Sequence, residues 1–318
     1  MNSRRHLVAL LCLAPFAGLA QQLPRRMFRI GLLSGPYRLQ PFRAGLKELG
    51  YVEGENILIE QRWADEKYER LPELAAELVR LNVDVLVTGG TPAALAAKKA
   101  TTKIPIVMAI SGDAIAAGLV DSLAHPGGNL TGLTFFYPEL AAKRLELLRE
   151  VLPNLKRVAV LGNPINPLTL RAFQEMEVSA KSLGIELRRF DVQAPAEFES
   201  AFDAMAKMRA DAVAFTDDAL LITNAKALAD LTTKRHLPSI GFNELAESGG
   251  LLAYGVNIPE FYRRSAVFVD KILKGAKPAE LPIEQASRFE FLLNLRTAKA
   301  LGVVISRDLL LRVDRLIE

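Results

Sequence analysis

The chain has 318 residues, of which 50% are hydrophobic and 24% charged, with a formal net charge of +4. That length and apolar content exclude a small stapled domain and point to two ordinary cores. The mild positive balance is spread along the chain and leaves no basic face, which excludes nucleic acid as a partner.

Residues 1–20 read as a cleavable secretory signal. Arg4 and Arg5 form the charged start, Leu7 to Leu19 is a short apolar run broken by Pro15, and Gly18, Leu19 and Ala20 are small enough at the end for cleavage. A membrane span needs about 20 apolar residues, more than this run supplies. The "SRRHLV" start also resembles a twin-arginine signal, beside ordinary Sec export. Cys12 is the only cysteine and leaves with this segment, so the mature chain is expected to hold no disulfide and no Cys-ligated metal.

After the signal, apolar strand runs alternate with helical patterns, the mark of parallel sheets with crossover helices. "MFRIGLL" is the first strand; "ELAAELVRL" sets Leu74, Ala75, Leu78 and Val79 on one helical face; "VDVLVTG" and "IPIVMAI" are further buried strands. At "HPGGNLTGLTFF" Pro126, Gly127 and Gly128 break the rhythm, and a first crossing between lobes is placed there. A second series follows: "RVAVLGN", a helix through Phe173 to Leu183, "IELRRFDV", a helix through Phe198 to Met208, "DAVAFTDD", a helix to Arg235 and "PSIGFN". Further crossings are expected at "GGLLAYGVN", before the helix "FYRRSAVFVDKILKG", and at "LPIEQASRFEFLLN". The resulting division is residues 27–132 plus about 252–285 for lobe 1, and 133–251 plus about 286–318 for lobe 2. The fold class is α/β, with two doubly wound Rossmann-like lobes joined by a multi-strand hinge around a cleft.

Catalytic signatures are missing. There is no G-x-S-x-G, no G-x-x-x-x-G-K-[ST] and no G-x-G-x-x-G after the first strand, and the histidines are His6, His125 and His236 without metal spacing. Neither an enzyme nor a cofactor is expected. A ligand-sensing domain of repressor type shares the bilobal fold but needs an N-terminal pair of DNA-binding helices where this chain has an export signal.

The polar residues that stand out end the strands: Ser34, then Thr88, Gly90 and Thr91, then Ser111 and Asp113, then Asn163 and Asn166, then Asp217 and Asp218, then Asn243 and Glu244. Each taken singly is an ordinary cap or turn residue. In doubly wound lobes all six loops meet at one cleft, a set suited to a small zwitterion. "GGTPAALAA" either caps a helix or binds an anion. In the second case a carboxylate meets the N–H groups of Gly90, Thr91 and Ala93, and an ammonium pairs with Asp217 or Asp218. Tyr37, Phe135, Phe136 and Tyr137 either flank an apolar or aromatic side chain or pack in the core at the crossing.

"FRAGLKELGYVEGENILIEQRWA", "TPAALAAKKATTKIPIV", "GLVDSLAHPGGNLTG" and the run from "GGLLAYGVNIPEFYRR" to "LNLRTAKALG" closely resemble the bacterial ABC-transporter substrate-binding protein family that includes TrpX-like receptors. The likeness runs from about Phe28 to the C-terminus. It implies a type I periplasmic-binding-protein fold, a location in the periplasm and capture of a small solute between the lobes. It also implies delivery to a membrane permease with its ATPase, and a ligand of amino-acid, particularly aromatic, character. It further implies that the ligand carboxylate meets the helix start at Thr91, while Ala109 to Ser111 and Asp217 or Asp218 receive the ammonium. The expected partners are thus the small-molecule ligand and the importer, with the receptor itself a monomer.

Overall fold

The computed structural model describes residues 27–318, so the expected signal segment lies outside the described residues. The first lobe is built on β1 (Phe28–Leu33), β2 (Ile57–Arg62), β3 (Val85–Gly89), β4 (Ile106–Ile110) and β5 (Leu130–Thr134). The second holds β6 (Arg157–Gly162), β7 (Glu186–Asp191), β8 (Ala212–Phe215), β9 (Ser239–Gly241) and β10 (Leu252–Gly255). Late in the chain, β11 (Glu284–Gln285) returns to the first sheet, and β12 (Glu290–Asn294) and β13 (Arg315–Ile317) complete the second.

The first sheet has the order β11-β5-β4-β3-β1-β2, and every pairing in it is parallel. The second has the order β13-β12-β10-β9-β8-β6-β7, with β12 antiparallel to β10. Both faces of these sheets are covered, which is why β3, β4 and β5 are buried almost throughout while the edge strand β7 holds only exposed and half-buried positions. The covering helices include α1 (Leu39–Glu48), α2 (Leu71–Arg80) and α3 (Thr91–Ala100) on the first lobe. On the second are α4 (Tyr137–Val151), α5 (Pro167–Leu183), α6 (Phe198–Met208), α7 (Ala219–Thr223), α8 (Ala225–Lys234) and α9 (Asn243–Glu247). No helix of the described residues is long and apolar enough to cross a membrane.

The lobes exchange helices. α4 follows β5 of the first lobe but packs on α5 and β10 of the second, whereas α10 (Ile258–Leu273) follows β10 and packs back on α1 and β4. The contact between α1 and α10 is close enough that a Cβ at Gly45 would collide with the carbonyl of Arg263.

The strand pairings correct two expected crossings. Pro126 to Gly128 precede β5, which still pairs with β4, so residues 133 and 134 belong to the first sheet and the chain leaves it only before Tyr137. Leu252 to Gly255 pair with β9 and β12 in the second sheet, so this apolar run belongs there and the return comes at Val256 and Asn257. In both cases punctuation by glycine marks a turn inside a lobe; a short buried strand, with hydrogen-bond partners on both sides, comes before the crossing. The third passage lies between β11 and β12.

Candidate functional site

In each sheet the strand order reverses at one place: between β1 and β3 in the first lobe, and between β6 and β8 in the second. Helices depart to opposite faces on either side of such a point, leaving a crevice beyond the carboxyl ends of the strands. The two crevices face each other and enclose a cavity.

On the first lobe the crevice wall is Ser34 to Arg38 after β1, Gly89 to Ala93 after β3 and Ile110 to Gly112 after β4. Gly89 has no room for a side chain, since a Cβ would collide with the hydroxyls of Ser34 and Tyr262. Gly90 turns with φ +91°, open to glycine at low cost, and is the N-cap of α3. Thr91 is therefore the first helical residue, and its side chain does not cap the helix. Its Oγ1 accepts from the Gly112 N–H at 3.2 Å and lies 3.3 Å from Ser111 Oγ. The Gly90 N–H donates to the Ile110 carbonyl at 3.0 Å, so it is not among the open donors expected there. Pro92 has no N–H. The N–H groups of Thr91 and Ala93 find no acceptor among the described residues, as the first turn of a helix leaves them.

The second lobe presents carboxylates instead. Asp217 is held by the Arg144 guanidinium in a two-pronged pair, 2.5 Å to Oδ2 and 3.0 Å to Oδ1. Arg144 comes from α4, is 1% exposed and also donates to the carbonyls of Tyr254 and Phe215. Asp218 is 2% exposed and caps α7 through the Leu220 N–H. It also accepts from Asn163 Nδ2 at 3.2 Å, from Asn166 Nδ2 at 3.0 Å and from the Tyr68 hydroxyl at 3.0 Å to each oxygen. None of these donors is a cation. Burial raises the Asp218 carboxyl above the usual aspartate range, against the opposing pull of Asn166, Asn163 and Tyr68. Burial and the adjacent Asp218 likewise push the Tyr68 phenol well above its ordinary value, so Tyr68 is a proton donor.

Side-chain hydrogen bonds tie the lobes across the opening. Tyr68 reaches Asp218, the Tyr37 hydroxyl lies 2.7 Å from Thr223 Oγ1, and Arg38 donates to Glu244 Oε1 at 3.0 Å. The lobes are closed on the cavity. Arg38 is 7% exposed, with its guanidinium 4.5 Å from the Tyr37 ring centre and 6.0 Å from that of Tyr262. Tyr262 comes from α10; its hydroxyl bonds Ser34 Oγ at 2.6 Å, and burial pushes its phenol up to about 12.

Of the residues expected at the site, Ser34, Tyr37, Gly90, Thr91, Ala93, Ser111, Phe135, Asp217 and Asp218 line the cavity. Four stand behind the wall. Thr88 is fully buried in β3, Asp113 caps its own loop through the N–H groups of Ile115 and Ala116, Asn163 supports Asp218, and Asn243 donates to Glu290. The side chains of Asp113, Asn163 and Asn243 are spent on local or second-row bonds, whereas the Thr88 hydroxyl is buried with no hydrogen-bond partner among the described residues. Phe136 is 45% exposed and is not part of the wall, whereas Tyr137 lines it and accepts from the Asp217 N–H at 2.8 Å. Asn166, named among the strand-end residues, lines the cavity as well, and Arg38, Trp63, Glu66, Tyr68 and Tyr262 line it without having been singled out. Their signal is weak because four follow β1 or β2 in irregular segments and Tyr262 sits in an amphipathic helix that reads as core.

A family model described as "ABC transporter substrate binding protein" matches residues 36–317. Among curated relatives, a tyrosine-binding protein of Clostridioides difficile is 26% identical over 263 residues, covering 82% of this chain and 75% of that protein. Among solved structures, a conserved domain protein from Vibrio cholerae is 28% identical with a TM-score of 0.84, covering 92% of this chain and 99% of that one. An ABC domain from Streptococcus pneumoniae in complex with L-Trp is 25% identical with a TM-score of 0.84, covering 91% and 99%.

Proposed function

The chain belongs to the ABC transporter substrate-binding protein family, and from that premise we propose that it is an exported receptor closing on a free amino acid of aromatic character. The observation that carries this reading is the opposition, across one cavity, of open backbone N–H donors and a carboxylate that has hydrogen-bond donors but no cation. The first lobe offers the open N–H groups of Thr91 and Ala93 with the Ser111 hydroxyl, a set that complements a carboxylate. The second lobe offers Asp218, a buried carboxylate without a cation, which complements an ammonium. Asp217 serves instead as the internal partner of Arg144.

The Tyr68 hydroxyl holds the place beside Asp218 that a ligand ammonium takes on entry. Ser34, Tyr37, Phe135 and Tyr262 flank the ligand's apolar part. Closure turns on the three passages around Phe135 and Phe136, Val256 and Asn257, and Ala286 to Phe289, with the lobes otherwise rigid. The names of the tyrosine-binding relative and of the L-Trp complex support an aromatic ligand. The receptor acts in the periplasm after removal of a signal peptide, performs no catalysis, and hands its ligand to a membrane permease driven by an ATPase.

A thermal-shift screen of the protein against amino acids, aromatic acids, sugars and nucleosides tests the proposal. Free aromatic amino acids are expected to raise Tm by several degrees, on the order of what a few kcal/mol of linked binding gives in a protein of this size. A shift with sugars or nucleosides and none with amino acids overturns it.

A further inference from the structure

The cavity wall also takes in the segment after β2. There the loop carries Trp63, Asp65 and Glu66, and the last two adopt φ of +53° and +63° in succession. Two adjacent non-glycine residues in the left-handed region are costly, and such conformations persist where the surrounding structure holds them for a purpose. The consequence here is that Glu66 lines the cavity while Asp65 stays exposed outside it.

The groups acting on the Glu66 charge are Asn224 of the second lobe and Asp65, neither of them a cation. Burial lifts its carboxyl above the usual range, with Asn224 opposing and Asp65 adding to the rise. It is thus a half-buried acceptor on a wall that also includes the apolar side chains of Trp63, Leu71 and Ile222.

Position fixes what it can reach. The start of α3 follows β3, and Glu66 follows β2, two strands away in the order β3-β1-β2. β1 lies between those two strands, so the Glu66 loop and the α3 start stand at separate places on the cavity wall.

We infer that Glu66 is a specificity-determining residue that accepts a hydrogen bond from a donor on the distal end of the ligand side chain. The preferred ligands are then aromatic amino acids bearing an O–H or N–H at that end, over those ending in hydrocarbon. This inference rests on the amino-acid reading of the same cavity. A site built around such an acceptor disfavours the analogue lacking the donor, because the half-buried carboxylate then loses water without gaining a hydrogen bond from the ligand.

Calorimetric titration of L-phenylalanine, L-tyrosine and L-tryptophan into the wild-type protein and the Glu66→Gln and Glu66→Ala variants tests it. The wild type is expected to bind tyrosine or tryptophan at least about tenfold more tightly than phenylalanine, as a hydrogen bond to a charged acceptor gives. Glu66→Gln narrows that ratio and Glu66→Ala abolishes it, tyrosine or tryptophan losing more affinity than phenylalanine. If Glu66 only clasps Asn224 across the opening, both variants weaken all three ligands by the same factor, and that result overturns the inference. Equal wild-type affinity for the three also overturns it while leaving the amino-acid reading standing. No binding of any of the three, with the protein folded, overturns both.

Discussion

The two switch points share a strand order and differ in what they show to the cavity. In the first lobe, β3 ends in a glycine pair and α3 begins with a proline, so the exposed polar groups are backbone N–H donors fixed by the helix itself. In the second, β8 is followed, after Thr216, by two adjacent aspartates whose orientation depends on side chains gathered from far along the chain. One half of the site is preformed by secondary structure, and the other is held by a buried polar network. The first is expected to tolerate substitution with local losses; the second is expected to fail as a unit.

The largest effect belongs to Arg144. Replacing it with methionine leaves Asp217 buried without its cation, expected to cost about 3–5 kcal/mol and lower Tm by roughly 10 °C. Adding Asp217→Asn should recover much of that loss in thermal denaturation, because the uncompensated charge is gone. An additive double variant would show that the pair does not hold the second lobe's half of the site.

Next is Asp218. Asp218→Asn keeps the shape and removes the charge, and affinity for a free aromatic amino acid should fall about 10–100-fold by calorimetry. The pH dependence sharpens the point. The folded carboxyl titrates above the ordinary aspartate value of 3.8, so acidification protonates it before typical aspartates. Ligand affinity should fall in that window, whereas Asp218→Asn should be flat there. The group's own contribution to stability without ligand has the opposite sign: it is present at low pH and lost as pH rises through the raised folded pKa, because the charged form is the one burial penalises.

Thr91→Val probes the first lobe. It removes a hydroxyl at the carboxylate end and strands the Gly112 N–H, expected to cost about 1–3 kcal/mol of stability and roughly tenfold in affinity. The smallest effect is that of Tyr37→Phe, which loses one exposed interlobe bond to Thr223 and should weaken ligand binding only about threefold, with Tm unchanged.

The same contrast explains what was legible in the sequence. The alternation of elements and the Gly-Gly-Thr-Pro start are local signals, so the α/β architecture and the α3 start could be read from adjacent residues. The wall residues Asp217 and Asp218 could also be named, since they end a strand. Their difference in role could not: it depends on Arg144, 73 positions away, and on Tyr68, 150 positions away. Arg38 and Tyr262 were hidden for a related reason. A buried arginine between two tyrosine rings and a tyrosine on a core helix acquire their place only when α10 crosses back to the first lobe. Asn163 and Asn243 show the converse, because a polar residue ending a strand is equally suited to supporting the wall as to forming it.

The most direct test of the opposed-charge site is thermal denaturation with L-tryptophan, its N-acetyl derivative and its methyl ester. The zwitterion site predicts a Tm increase with free tryptophan alone, since the acetyl group removes the partner of Asp218 and the ester removes the anion at Thr91 and Ala93. An equal increase with either blocked form, or an increase with neither the free nor the blocked amino acid, would contradict it.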